Sequence, residues 1–371
     1  MYKILSTFTG AGGLDLGFHG GFEFLGKHYE KLNFETTYSI DISKSACETI
    51  LNNTQYFLNT NAVHANIIEH DLKQIPNIDY DVLLGGFPCV TFSTVGKQLG
   101  VKDDTNGKLY LKFAEYVEHF KPKVFVAENV KGILSANNGQ AVKLIRDRFQ
   151  KTGYSLSVYL VNFAKFGVPQ LRERVLFIGV RNDIKTHFVA PEIIHKTSDD
   201  YINVETAFSN LNNDLPNSEL MKHPLKTRRM LEAIPENGNF KDLPKELAVK
   251  GLMSNIYRRL DRKRPAYTVI ASGGGGTWTY HYKEPRAITN RERARLQGFP
   301  DDLVFYGNNT EIRRQIGNAV PPVGIHPFAK NIQGLLDGIQ YLPTPNTLPE
   351  YDIDNKKEFT LTKFQPELEL G

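Results

Sequence analysis

The chain is predicted to adopt an α/β fold, a largely parallel sheet covered by helices, joined to a smaller unit of irregular structure. Three observations predict it. Short β-prone runs alternate with amphipathic segments over the first 181 residues, and that alternation implies crossover connections. The first run ends in a glycine-rich turn. Beyond about residue 181 the alternation gives way to polar, Asn-rich and Pro-punctuated sequence.

Tyr2 to Phe8 reads as a strand, followed by TGAGG and by a segment from Leu14 to Phe22 that can be helical despite its glycines. Thr36 to Ile42 and Asp81 to Leu84 follow as strands, the second ending in Gly85 and Gly86. From Leu109 the apolar positions Phe113, Val117 and Phe120 recur at helical spacing. Lys123 to Ala127 and Val175 to Val180 close the pattern as strands. From Leu342 onward, three prolines precede Tyr351, and a partly ordered tail is expected.

Of the 371 residues, 45 are Lys or Arg and 41 Asp or Glu, a net charge of +4. With 40% hydrophobic and 23% charged residues, the composition is that of a soluble folded protein. No apolar stretch approaches the ~18 to 20 residues of a membrane helix, and secretion is not expected. Cys47 and Cys89 cannot by themselves make a disulfide framework or a thiolate zinc site. The charge is unevenly spread: Lys222 to Arg295 carries seventeen Lys plus Arg against seven Asp plus Glu. A nucleic-acid partner, if any, is expected there.

FTGAGGLDLGF, from Phe8 to Phe18, allows positive φ and close approach of a ligand, and the helix start that follows presents free amides. It is not the dinucleotide fingerprint, because the third glycine would fall at Asp15. On this motif alone a nucleoside cofactor and a merely tight turn are equally open. Asp41 and Asp71 stand where ribose and adenine lie in such folds, with solvated or capping acids as the alternative. GGFPCVTFS places Cys89 in a Pro-containing turn beyond a strand end, where open α/β sheets bind ligands; a small buried hydrophobe is the alternative. A nucleophilic thiol there needs cationic or amide surroundings. Cys47, in SKSACETI, reads as a core residue. AENV puts Glu128 at the next strand end, where a carboxylate is costly unless paired or functional. QLRER sets Arg172 and Arg174 on one face of an extended segment, with surface salt bridging as the alternative.

Taken in order with NRERARLQGFPDD and QIGNAVPP, these blocks resemble the signature motifs of cytosine-C5 DNA methyltransferases of the bacterial restriction-modification type. The resemblance covers roughly residues 1–181 and 286–330. It implies a Rossmann-like S-adenosylmethionine-dependent methyltransferase sheet (1–181 and 306–341), a smaller irregular target-recognition domain (182–305) and a C-terminal tail (342–371). It further implies a monomer in the bacterial cytoplasm, needing S-adenosyl-L-methionine and no metal, with duplex DNA as substrate and a restriction endonuclease of the same specificity as functional partner. Cys89 would attack C6 of a flipped cytosine, Glu128 would bond N3 and the exocyclic amine, and Arg174 would contact O2 with Arg172 in support. For the cofactor, Phe8 would face adenine, with Thr9, Gly10, Gly12 and Leu14 on the methionine side. Ile40, Asp71 and Leu72 would frame ribose and adenine, Pro88 and Leu109 the opposite wall, and Asn318 and Ala319 would complete the pocket. Two positions depart from the family pattern. Ser39 stands where an acid usually binds ribose, so Ser39 or Asp41 takes that role, and Val90 replaces a usual glutamine.

The segment after Cys89, with Lys97 and Lys102, is expected to close over the flipped nucleotide. In the second unit Arg262, Lys263 and Arg264 are expected on phosphate, and Gly273, Gly274, Gly275, Gly276, Thr277 and Trp278 near base edges. A flexible glycine linker is the alternative. Thr289 with Glu292 fits a capping box, which makes Glu292 structural, while Arg291, Arg293 and Arg295 are expected to organise the domain junction. A tRNA cytosine methyltransferase and a catalytically dead DNA-binding regulator remain as rival functions; Asp15 disfavours an NAD-dependent oxidoreductase.

Overall fold

A computed structural model describes residues 1–88, 109–212, 214–249, 257–271 and 279–359. Its strands are β1 (Tyr2–Thr7), β2 (Phe22–Phe24), β3 (Lys27–Tyr29), β4 (Phe34–Asp41), β5 (Asn61–His64), β6 (Val82–Gly85), β7 (Val124–Val130), β8 (Tyr154–Asn162), β9 (Gln170–Leu171), β10 (Glu173–Arg181), β11 (Ala266–Tyr267), β12 (Glu350–Asp352) and β13 (Lys357–Phe359). The helices are α1 (Gly13–His19), α2 (Lys44–Asn52), α3 (Thr54–Phe57), α4 (Leu109–Phe120), α5 (Gln140–Gln150), α6 (Val204–Phe208), α7 (Leu225–Ala233), α8 (Asn290–Leu296), α9 (Asn309–Asn318) and α10 (Pro322–Leu336).

Seven strands form the central sheet in the order β5-β4-β1-β6-β7-β10-β8. The five from β5 to β7 are parallel, and β10 runs antiparallel to both its neighbours. β6 is buried throughout and β7 over six of its seven residues, the near-continuous apolar run of strands covered on both faces. Alternation divides the strands between two cores. Ile4, Val82, Val124 and Val126 face one, and Leu5, Leu83, Phe125 and Ala127 the other.

α1 forms despite its glycines because they are needed for packing. A Cβ on Gly13 would overlap the Val320 carbonyl, and one on Gly17 the Ile325 side chain, so only glycine lets α10 seat against α1. This brings the chain's far end back to the first turn. The expected capping box at α8 is present: Thr289 Oγ1 accepts from Glu292 N at 3.1 Å, and a Glu292 carboxyl oxygen from Thr289 N at 2.7 Å.

The second unit has little core of its own. Val204, Leu260, Val269, Ile288 and Phe299 belong to the same cluster as Ile4, while a separate small cluster gathers Leu231, Tyr280 and Ala287. β11 pairs with β9, Tyr267 opposite Leu171, and so docks this unit beside the start of β10. Within the described part of the expected tail, residues 350–359 form a hairpin, β12 with β13, whose turn is held by Lys143 and Arg146 on Asp354 at 3.1 and 2.7 Å.

Candidate active site

β1 lies between β4 and β6, so the chain leaves it towards opposite sides and a crevice opens at the strands' carboxyl ends. There lies a cavity of about 660 Å³, lined by residues 6–10, Leu14, Asp15, Asp41, residues 86–88, Glu128, Arg174, Asn318 and Ala319, among others. Phe8, Gly10 and Gly12 all have positive φ, 52°, 55° and 73°, which folds the chain tightly after β1. For Phe8 that conformation is strained, and such strain concentrates at functional sites. The fold-back lets the Gly10 amide donate to one Asp41 carboxyl oxygen and the Ser43 amide to the other, each at 2.8 Å. Burial raises the Asp41 pKa, and the two amides oppose that rise.

At the other wall, Arg174 lies opposite Val130 in the β10–β7 ladder, two residues on from Glu128, so both side chains stand on one face. Arg174 Nε reaches Glu128 Oε1 at 2.8 Å, with both side chains almost buried. Desolvation lifts the Glu128 carboxyl above the usual carboxylate range, against the pull of Arg174 and Arg172. Asn129 donates to the Phe87 carbonyl at 3.1 Å and thereby ties the 86–88 turn to this wall. The cavity thus joins a fixed acid at one end to a second acid paired with a guanidinium at the other.

The family model for C-5 cytosine-specific DNA methylases matches residues 2–334. The chain belongs to that family. Among the methylase's relatives, the Type II methyltransferase M.NgoFVII of Neisseria gonorrhoeae is 49% identical over 342 residues, covering 89% of this chain and 86% of that protein. M.BbvI of Brevibacillus brevis, also a Type II methyltransferase, is 38% identical over 355 residues, 93% and 94% of the two chains. The fold is shared with a DNA modification methyltransferase of an E. coli prophage (TM-score 0.63, 23% identity, 91% and 100% coverage). It is shared too with the S. pombe Dnmt2 methyltransferase (TM-score 0.60, 16% identity, 92% and 100% coverage).

Cys89, Val90, Lys97, Lys102, Gly273, Gly274, Gly275, Gly276, Thr277 and Trp278 lie outside the described residues. Of the other candidates, Phe8, Thr9, Gly10, Leu14, Asp41, Pro88, Glu128, Arg174, Asn318 and Ala319 line the methylase cavity. Gly12, Ile40, Asp71, Leu72 and Leu109 do not. Ile40 and Leu109 are buried in the core, and Asp71 caps a short turn by accepting from Lys73 N at 3.0 Å. Ser39 is 2% exposed and off the cavity, which leaves Asp41 as the acid on that wall. Cys47 is buried in α2 with its thiol pushed up to about 12 by burial.

Arg172 lies behind the cavity wall. It is fully buried, and its guanidinium donates to the carbonyls of Val269 at 3.2 Å and of Gly317 and Ala319 at 2.9 Å each. It therefore acts by fixing the 317–319 segment, which does line the cavity, rather than by reaching into it.

A buried polar network that no sequence motif announced runs inward from the cavity floor. Asp15 accepts from Ser6 Oγ at 3.0 Å and Thr36 Oγ1 at 2.9 Å. Behind it His19 Nε2 accepts from Thr36 N at 3.0 Å while Nδ1 meets the Tyr56 carbonyl at 3.0 Å. The one signal in the sequence was Asp15 standing where glycine was expected.

The basic stretch also reads differently in three dimensions. Arg259 donates to the carbonyls of Leu231, Ile234, His281 and Tyr282, and Arg291 to those of Pro216, Pro300 and Leu303. Arg286 is clasped by Glu284 and Glu292, and Arg295 by Asp301. Arg262, expected on phosphate, is paired with Glu236 at 2.8 Å. Lys263 and Arg264 remain exposed. Much of the local charge excess is therefore structural, because loop-rich packing needs donors for buried carbonyls.

Proposed function

We propose that the methylase transfers a methyl group from S-adenosyl-L-methionine to C5 of a cytosine within a specific duplex DNA sequence. The observation that carries this reading is the buried Glu128–Arg174 pair facing the same cavity as Asp41. A volume of about 660 Å³ lies within the ~300–1,000 Å³ of small-molecule sites. The residues suit this cofactor: an aromatic face from Phe8, a positioned carboxylate from Asp41, and at Gly10 room that no side chain fills. When bound, the cofactor supplies an electrophilic methyl group.

Cytosine C5 needs prior activation, which Cys89 provides by adding its thiolate to C6. Negative charge then develops on the ring. Glu128, whose proton is held more tightly than an ordinary carboxyl's, donates to N3, and Arg174 stabilises O2. Loss of the C5 proton and departure of the thiol complete the reaction. The target must leave the helix at a cost of a few kcal/mol, which bonds to Glu128 and Arg174 offset. Like its Type II relatives, the methylase would protect the site of a companion endonuclease, acting as a monomer in the bacterial cytoplasm. Among the described residues no helix is long and apolar enough to cross a membrane.

The test compares tritiated methyl transfer into duplex DNA and tRNA, and covalent trapping on 5-fluorocytosine duplexes. Incorporation into DNA and a Cys89-dependent adduct are expected. Incorporation into tRNA alone, or an adduct retained by Cys89→Ser, would overturn the reading.

A further inference from the structure

The chain alternates at Arg258 and Arg259: Arg259 turns inward and uses its donors on four backbone carbonyls, while Arg258 turns the other way. The Arg258 guanidinium lies 3.3 Å from the centroid of the Tyr267 ring. No acceptor among the described residues takes any of its N–H groups, and its Nε is buried without a partner. Tyr267 is itself fixed, by pairing with Leu171 and by donating from its hydroxyl to Asn237 Oδ1 at 3.2 Å. A guanidinium stacked on one face, with its edge donors unmet among the described residues, is organised to meet two acceptors lying in one plane.

The position of the stack gives it a use. Leu171 and Tyr267 are both well exposed, and Leu171 is three residues from Arg174 on the same run of chain. Three residues of chain span at most about 10 Å, so the stack borders the pocket that would take the flipped base. The planar acceptor pair that suits an arginine fork in the major groove is O6 and N7 of guanine. From this geometry we infer that Arg258 reads a guanine close to the methylated cytosine, with Tyr267 as its platform. The inference rests on the duplex-DNA reading above.

The test offers a library of duplexes, randomised around a cytosine, to wild-type enzyme, Arg258→Ala, Arg258→Lys and Tyr267→Ala, and maps methylated sites by bisulfite sequencing. Wild type is expected to require guanine at one position near the target. Arg258→Ala and Arg258→Lys should lose that preference by roughly 5- to 150-fold while keeping preferences elsewhere, and Tyr267→Ala should weaken it. Arg258→Lys keeps the charge, so the outcome does not depend on the alanine variant folding. An equal fall in methylation at all sequences would make Arg258 a phosphate contact and overturn the inference, as would unchanged preferences. A wild-type enzyme that methylates no duplex would instead overturn the proposed function itself.

Discussion

Replacing Asp15 by asparagine should stabilise the apo-protein at neutral pH and make its stability newly sensitive to acid. Asp15 is 1% exposed, its oxygens accept from Ser6 and Thr36, and no cation pairs with it among the described residues. Burial raises its pKa from 3.8 to about 6. The folded state thus holds this proton more tightly than the unfolded chain, so stability falls as pH rises between these values. Above them the cost amounts to about 3 kcal/mol. His19, in contact with the same Thr36, works in the opposite sense. Burial lowers it from 6.5 to about 4, so its contribution is lost as pH falls through that window. Each slope is ~1.4 kcal/mol per pH unit, and between about pH 4 and 6 they nearly cancel. Asparagine removes one slope and leaves the other. Allowing ~1 kcal/mol for a hydroxyl that must turn from donor to acceptor, the gain at pH 8 is about 2 kcal/mol. That advantage should vanish towards pH 4. Urea titrations followed by circular dichroism at pH 8, 6, 5 and 4 measure both quantities. A variant no more stable than wild type at pH 8, or an advantage that does not shrink with acid, would refute this account.

Glu128→Gln should lower kcat by about 10²- to 10³-fold, through loss of one positioned proton donor, while cofactor affinity measured by calorimetry stays within about threefold. Arg172→Met should cost about 2–5 kcal/mol in urea unfolding, since three buried carbonyls lose their donor and only part of that is offset by removing a buried cation. Asp41→Asn should weaken cofactor binding by about tenfold in the same calorimetric assay, whereas Ser39→Ala, off the cavity, should leave it unchanged.

The central sheet was legible because its signal is local. β1 and β6 lie within a residue or two of where the sequence sets them, as does α4, and β7 begins where expected but runs three residues further, to Val130. The capping box at Thr289 was legible for the same reason. What could not be read was which side of a wall a residue faces. Asp41 and Ser39 differ by two positions in one strand, yet the turn through Phe8 and Gly10 brings only Asp41 to the cavity. Arg172 and Arg174 are likewise two apart, but β9 ends at Leu171 and β10 begins at Glu173, and the break sends Arg172 behind the wall.

Charge along the chain misleads about partners for a related physical reason. A unit with few regular elements leaves many buried carbonyls without ladder partners, and arginine, with five donors, can satisfy several at once. Arg259 and Arg291 do this with four and three carbonyls, so their charge is committed to the fold. A basic stretch therefore mixes two populations, and counting cannot separate them. Donor use can: an arginine whose N–H groups all meet carbonyls or carboxylates has none left for a base. Arg258, stacked on Tyr267 with its donors unmet among the described residues, is on the other side of that division from Arg259, its neighbour in the chain.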